Sequence, residues 1–562
     1  MGGDEQVPAE QKGCKQAVTG RIHQHWTVPT KHRTPEQDAA EEHLFTFYLG
    51  KNRYFNLTSI KFSRWYLFFA SFLVQFCIGS LYSWSVLNKP IDTAVYNNPK
   101  AEKAVNAFYT AVGVFGTTTA IMGPWIERNG PRAGVCLGSS TFLLGFIISA
   151  ISIHYENLTG VIIGFGIFSG FGMGLCYISP VSALQKWFPD YRGTAAGFAV
   201  GGYGAGSVVW GKVYLPIINK VGLSSMFLVV GFAMSTCMYV CAIILRTPHH
   251  EFTVGGLNIH GEAVKEFEEA LEKGERISIM SAHEYESIKT PTTQKLAEEL
   301  HDPEADAKGM SAVRKLTLID AIKTIDFLFM YIMFFANQLF GLIVLSKLSG
   351  MCVDIFGKTA DQGADIVSIN GVFNCCGRLL LPVISDVFIR FFKFEPAFGR
   401  KCIFYYTLTS QVIIIATIPH LIEHKSYTLF VAEVFILTAS YGGGFGSIPC
   451  FLTDMFGAYN IGAMHGLILT AWSIGGVVGG ITFNSAYRHA MKIGKSAADA
   501  YVDNINKIFI IVVIGFVFIF FVRTNPKDRF AGGYRFSLFG FTLINIKPKQ
   551  KTTANGMLIN EA

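Results

Sequence analysis

Apolar stretches long enough to cross a bilayer alternate with short polar breaks along most of this chain, and the alternation has one wide gap near its middle. The first set of runs lies near 66–87, 105–125, 133–153, 160–184, 194–217 and 225–245. The second lies near 327–348, 365–389, 402–420, 427–450, 463–485 and 508–523. Each can span a hydrocarbon core of about 30 Å as a helix. The pattern predicts an all-α polytopic membrane protein: a disordered tail over 1–64, six helices over 65–246, a linker over 247–318, six more helices over 319–525, and a tail over 526–562. The linker's VKEFEEALEKGERI carries charges at three- and four-residue spacing, which suits an isolated helix at best. The polar tail ahead of the first run argues against a cleaved signal.

Composition agrees with lipid as the solvent. Half the residues are hydrophobic and 15% are charged, against about 25% in soluble domains. The net charge of +7 reads as topology and not as a nucleic-acid surface. If both termini are cytoplasmic, most of the 47 Lys and Arg fall on that side, and the short loops lean the same way through Arg128, Arg132, Lys186 and Arg192. The plasma membrane and an organelle membrane are both compatible with this. The eleven Cys show no paired metal spacing, so no metal and no cofactor are expected, and no nucleophile–base constellation suggests an enzyme.

A segment occurs twice, 269 residues apart and without a gap. Gly174 falls on Gly443, Pro180 on Pro449, Gly193 on Gly462, Gly197 on Gly466 and Gly206 on Gly475. Small residues let membrane helices approach closely. Two similar membrane halves are the organisation of a carrier that binds its substrate between them, near the midplane.

Four motifs sharpen this. Gly123-Pro124-Trp125-Ile126-Glu127-Arg128-Asn129-Gly130-Pro131-Arg132, after the second run, resembles the loop signature of the major facilitator superfamily. Its carboxylate and basic residues can latch one side of the protein, so Glu127, Arg128 and Arg132, with the worn second copy at Asp386, are expected to form a conformational gate. Tyr82-Ser83-Trp84-Ser85-Val86 and Lys186-Trp187-Phe188-Pro189-Asp190-Tyr191-Arg192-Gly193, with Thr324-Ile325-Asp326-Phe327, resemble the oxalate/formate antiporter family, whose members move small carboxylates.

Arg378 stands deep inside a membrane run, where such a residue costs about 2.5–3.5 kcal/mol on insertion scales and usually marks a pathway. The resemblance places the family's substrate-binding arginine at Arg378. It also implies a second cation in the eleventh helix, where this chain has Trp472, the repeat twin of Tyr203. Further substrate contacts are expected from Tyr82 and Gln75, seven apart on one helix, from Tyr177, and from Asn337 beside Gln338. Glu433 and His465 are the groups that could couple protons. The reading is a secondary carrier of a pyruvate-, lactate- or formate-like monocarboxylate, by proton symport or anion exchange. An oxalate or dicarboxylate antiporter, and a non-transporting carboxylate sensor, are the rivals.

Overall fold

The computed structural model describes residues 24–28, 35–50, 53–57, 59–99, 101, 103–249, 252–261, 316–529, 534–538, 541–546, 550–552 and 558–560. Ten helices are long and apolar enough to cross a membrane. One of them, the 50-residue Val105–His154, is two spans joined at Gly130, whose φ of 85° breaks the helix. Pro131 then opens the second arm, where its missing N–H is not needed. Arg192–Val221 is a further 30-residue helix, with seven glycines that dilute its apolarity. Among the described residues the count is therefore twelve.

In chain order the spans are α1 (Tyr66–Tyr96), α2 and α3 (the two arms, 105–129 and 131–154), α4 (Leu158–Trp187), and α5 (Arg192–Val221). Then come α6 (Leu223–Ile244), α7 (Ile325–Asp354), α8 (Ala360–Arg390) and α9 (Pro396–Glu423). The last are α10 (Tyr427–Phe456), α11 (Ile461–Lys492) and α12 (Ala497–Phe521). Starts are set locally: Thr324 caps α7, Thr359 and Gln362 form a capping box on α8, and Ser496 caps α12. Both tails and the linker leave from the same end of the bundle, called here the linker end.

The repeat is the seam between the halves. Gly197 of α5 lies against the backbone carbonyls of Arg378 and Leu379 in α8. Its twin Gly466 in α11 lies against the carbonyl of Thr119 in α2. The next twins pack within their own halves, Gly206 on Phe76 of α1 and Gly475 on Phe335 and Leu339 of α7. Hydrophobic drive between helices is absent in lipid, so close backbone approach supplies the packing.

The expectation that 1–64 lacks structure needs correcting for its described part. Residues Pro35–Glu41 form a helix and Thr46–Gly50 pairs with Arg53–Asn56 in a hairpin. Arg246, just past α6, fixes this segment by donating to the carbonyls of Glu41, His43 and Leu44. The expected linker helix at 264–277 lies outside the described residues.

Replacing Gly466 by Ala should destabilise the protein by about 1–3 kcal/mol, the usual cost of overpacking, because the new Cβ would collide with the Thr119 carbonyl. Gly113→Ala, where a Cβ would meet only the Val477 side chain at 3.5 Å, should be tolerated. Thermal unfolding of both variants in detergent checks this, and equal melting would mean the α2–α11 crossing is loose.

Candidate functional site

Arg378 lies where α5, α8 and α10 cross, its carbonyl facing Gly197 on one side and Gly446 on the other. Its side chain is 0% exposed. Nε donates to Asn374 Oδ1 at 2.7 Å, one turn earlier on α8. Nη1 and Nη2 have no hydrogen-bond partner among the described residues. Three rings surround the guanidinium, Phe445 at 4.4 Å, Tyr203 at 5.3 Å and Tyr82 at 6.0 Å. Among the described residues no carboxylate pairs with it; Asp386, two turns on, holds Arg400 at 2.6 Å instead.

The rings belong to both halves. Tyr82 stands in a 3-10 stretch, Gly79–Ser83, inside α1. Its hydroxyl shares a 2.6 Å hydrogen bond with Tyr441 of α10, and Trp472 Nε1 donates to the same Tyr441 oxygen at 3.2 Å. The twins Tyr203 and Trp472 flank Tyr82 at 5.0 and 6.4 Å. Phe115 closes the ring between Trp472 and Tyr177, at 5.2 and 5.3 Å. The hydroxyls of Tyr177 and Tyr203 are buried without partners. Unused buried donors are costly unless something meets them. A cation with two free N–H groups, neutral hydroxyls and apolar ring faces suits a small anion with a compact apolar end.

The other expected contacts divide. Gln75 does not share Tyr82's face: its Nε2 donates to the Tyr177 carbonyl inside its own half, while Tyr82 reaches across. The 3-10 stretch turns the chain by about 120° per residue instead of 100°, which separates the two faces. Asn337 is tied into the α7–α9 packing, donating to Thr407 Oγ1 at 3.0 Å and accepting from Gln338. Glu433 accepts from Thr417 of α9 at 2.9 Å, remote from the central rings. Both are set aside as site residues. His465 is fully buried, 5.7 Å from the Tyr177 ring, with neither ring nitrogen partnered.

Of the residues expected to form a gate, Glu127 and Asp386 join the two halves at the linker end. Glu127 of α2 accepts from the backbone N–H of Gly462 at 2.6 Å, at the start of α11, and also from Ser182 and Lys186. Asp386 of α8 repeats the arrangement on the twin glycine, accepting from Gly193 N at 2.9 Å and Thr194 N at 2.6 Å at the start of α5. Each half thus caps a helix of the other with a carboxylate, where the helix dipole favours negative charge. Arg192 of α5 adds a 2.5 Å pair to Asp454 of α10, which also accepts from Arg400 at 3.0 Å. Arg128 and Arg132 serve elsewhere: Arg128 donates to the carbonyls of Gln24, His25 and Thr27, and Arg132 pairs with Glu41 at 2.8 Å. At the opposite end the described cross-half polar contacts are fewer: Asn484 with Tyr109 at 2.7 Å and an exposed Lys212–Asp365 pair at 3.9 Å.

Sequence reasoning passed over Tyr441, Phe445, Phe115 and Asn374 at the site, and Asp454 and Arg400 at the gate. Asn374 was legible, since four residues before Arg378 places it one turn away on the same face. Asp454 was legible too, as an acidic residue closing an apolar run inside the repeated segment.

The comparisons with known proteins agree with this architecture. The profile of the Major Facilitator Superfamily matches residues 65–480. The oxalate:formate antiporter of Oxalobacter formigenes is 27% identical over 33% of this chain and 43% of its own length. Human monocarboxylate transporter 14 is 22% identical over 74% of this chain and 83% of its own. Among solved structures, the proton:xylose symporter XylE superposes with a TM-score of 0.58 at 14% identity, covering 82% of this chain and 97% of that one, which speaks for the fold.

Asp386→Asn removes the charge from the α5 cap and leaves Arg400 with one carboxylate fewer. Hydrogen bonds to charged groups are worth about 1.5–3 kcal/mol, so amide exchange at Gly193 and Thr194 should accelerate at least about tenfold. Hydrogen-exchange mass spectrometry checks this; unchanged protection would mean that the cap does not hold the linker end shut.

Proposed function

We propose that this chain, which belongs to the major facilitator superfamily, is a secondary carrier of a small monocarboxylate. Membership makes it a multi-pass membrane transporter and not an enzyme. The observation that carries the finer reading is the guanidinium of Arg378, buried with two free nitrogens, three ring faces and no carboxylate among the described residues. A substrate carboxylate fits both nitrogens as a fork. The printed names of two relatives, an oxalate:formate antiporter and a monocarboxylate transporter, support a small carboxylate as cargo.

Substrate charge separates the leading reading from the dicarboxylate one. A monoanion meets Arg378 and is neutralised, with its methyl or hydrogen end against Trp472 and Tyr203. A dianion would leave a second charge unpaired among buried rings, a cost proteins seldom accept. Trp472 stands where the resembling oxalate carriers place a second cation, so oxalate is disfavoured.

The linker end faces the cytoplasm in this reading, so the structure corresponds to a carrier closed toward the cytoplasm. Alternating access then requires Glu127 and Asp386 to leave Gly462 and Gly193 together, as the halves rock about the glycine seam. Of the two groups expected to couple protons, His465 keeps that role because it lies two turns from Trp472 on α11, between the rings and the Glu127 cap. Exchange of one anion for another is the other mode.

Arg378→Ala should abolish uptake in liposomes while the protein stays folded, since a pair at about 4 Å and an effective dielectric near 20 is worth about 4 kcal/mol. Arg378→Lys should also be poor, because a point charge cannot make the two-pronged bond. Wild-type counterflow should favour pyruvate or lactate over oxalate, and Trp472→Lys should shift the preference toward dianions. Oxalate competing as well as pyruvate in the wild type would defeat the monocarboxylate assignment, and normal uptake by the alanine variant would defeat the site.

A further inference from the structure

We propose that the last turn of α9 is a binding site for a divalent transition metal of the zinc type, on the end of the bundle opposite the linker. The chain there reads His420-Leu421-Ile422-Glu423-His424. One ligand atom from each of His420, Glu423 and His424 lies within 4.8 Å of the others, and all three residues are exposed. Leu421 and Ile422, between them, are buried at 8% and 1% exposure, which turns the three polar side chains outward together. His424 Nδ1 is 3.0 Å from the His420 carbonyl. A carbonyl can only accept, so the proton sits on Nδ1 and the Nε2 lone pair is left for a metal, the usual second contact of a ligating histidine. Two imidazoles and a carboxylate suit zinc, copper or nickel better than magnesium or calcium, with water completing the sphere. The C-terminal end of the helix dipole adds favourable negative potential.

Calorimetric titration of the purified full-length protein with zinc chloride should show one site in the low-micromolar range. The pair His420→Ala and His424→Ala should weaken it at least about tenfold, or 1.4 kcal/mol, and Glu423→Gln by a smaller factor, with the melting temperature of the metal-free protein unchanged. Absence of binding, or an isotherm that the double substitution leaves unaltered, overturns the site.

A separate set of contacts points to a strap over the gate, formed by residues 24–28. On one side His25 Nε2 donates to the Ile121 carbonyl at 2.8 Å, and Arg128 Nη1 donates to the His25 carbonyl at 2.6 Å. On the other side the hydroxyl of Tyr459, in the turn between α10 and α11, donates to the Val28 carbonyl at 3.4 Å. Ile121 and Arg128 belong to the first half and Tyr459 to the second, three residues from the Gly462 that Glu127 caps. The segment therefore bridges the halves where they must part, and it precedes the superfamily match, which starts at residue 65. It holds the linker end closed and slows opening.

Spin labels at the exposed positions Asn129 and Phe391, with the exposed Cys136 and Cys376 replaced, report the separation of the halves by pulsed electron resonance. Removing residues 1–34 should add a longer distance to the distribution, and a synthetic peptide of residues 20–34 should reverse the change. A truncated protein with an unaltered distribution, or a change that the peptide does not reverse, defeats the strap.

Discussion

The arrangement depends on one charge that has no counter-charge. Arg378 is the largest electrostatic liability in the interior, and its one hydrogen-bonded partner among the described residues, Asn374, is neutral. Three ring faces offset part of the cost, each cation–π contact being worth about 0.5–2 kcal/mol. They do so without using the Nη donors, because ring faces accept through their quadrupole and not through a lone pair. In the proposed function the chain thus keeps the guanidinium tolerable between cargoes and leaves its directional bonds for an incoming anion. A carboxylate partner would have stabilised the arginine more and made it useless for that purpose.

Holding such a residue at the midplane demands rigid backbone nearby, and the glycines supply it. Arg378's carbonyl is gripped between Gly197 of the opposite half and Gly446 of its own. The same repeat that positions the arginine also builds the gate, because Gly193 and Gly462 open the helices that carry Gly197 and Gly466. Their amides, without a partner inside the helix, are the ones Asp386 and Glu127 cap. Site and gate lie on single helices, so displacement of α5 at its capped end is transmitted to the helix that touches Arg378.

Much of this was legible in the chain. The runs located the helices, the constant offset located the seam, and a lone arginine among apolar residues pointed to the candidate site. The faces of the helices were harder. A membrane helix has lipid on one side and apolar protein on the other, so the periodicity that marks a buried face in a soluble helix is muted. That is why Asn337 reads as a substrate contact and Glu433 as a proton-coupling group, when they tie α7 and α10 to α9. It is also why Tyr441 and Phe445 were missed, being aromatic residues in a glycine run with nothing to mark which way they point. The 3-10 stretch that parts Gln75 from Tyr82 carries no sequence signal beyond Gly79 and two serines. The tail's fold depends on Arg246, about two hundred residues away in sequence, and local composition gave no hint of it.

The two polar regions of the protein obey opposite rules. At the linker end the buried charges that join the halves have opposite partners among the described residues: Glu127 with Lys186, Asp386 with Arg400, Asp454 with Arg192 and Arg400. Breaking a buried pair by separating its members is strongly unfavourable, so these groups favour one closed arrangement and resist intermediates. At the centre the charge is unmatched, and the arrangement becomes electrically complete only with something added. In the proposed function those two conditions oppose each other. The gate favours the closed protein whether or not it is loaded, while an anion on Arg378 alters the balance from within, by drawing Tyr82, Tyr203 and Phe445 of both halves onto one neutral ion pair. Cargo of the right charge can then contribute to the free energy of rearrangement, and cargo of the wrong charge cannot, which makes selectivity and conformational exchange two consequences of the same unpaired arginine.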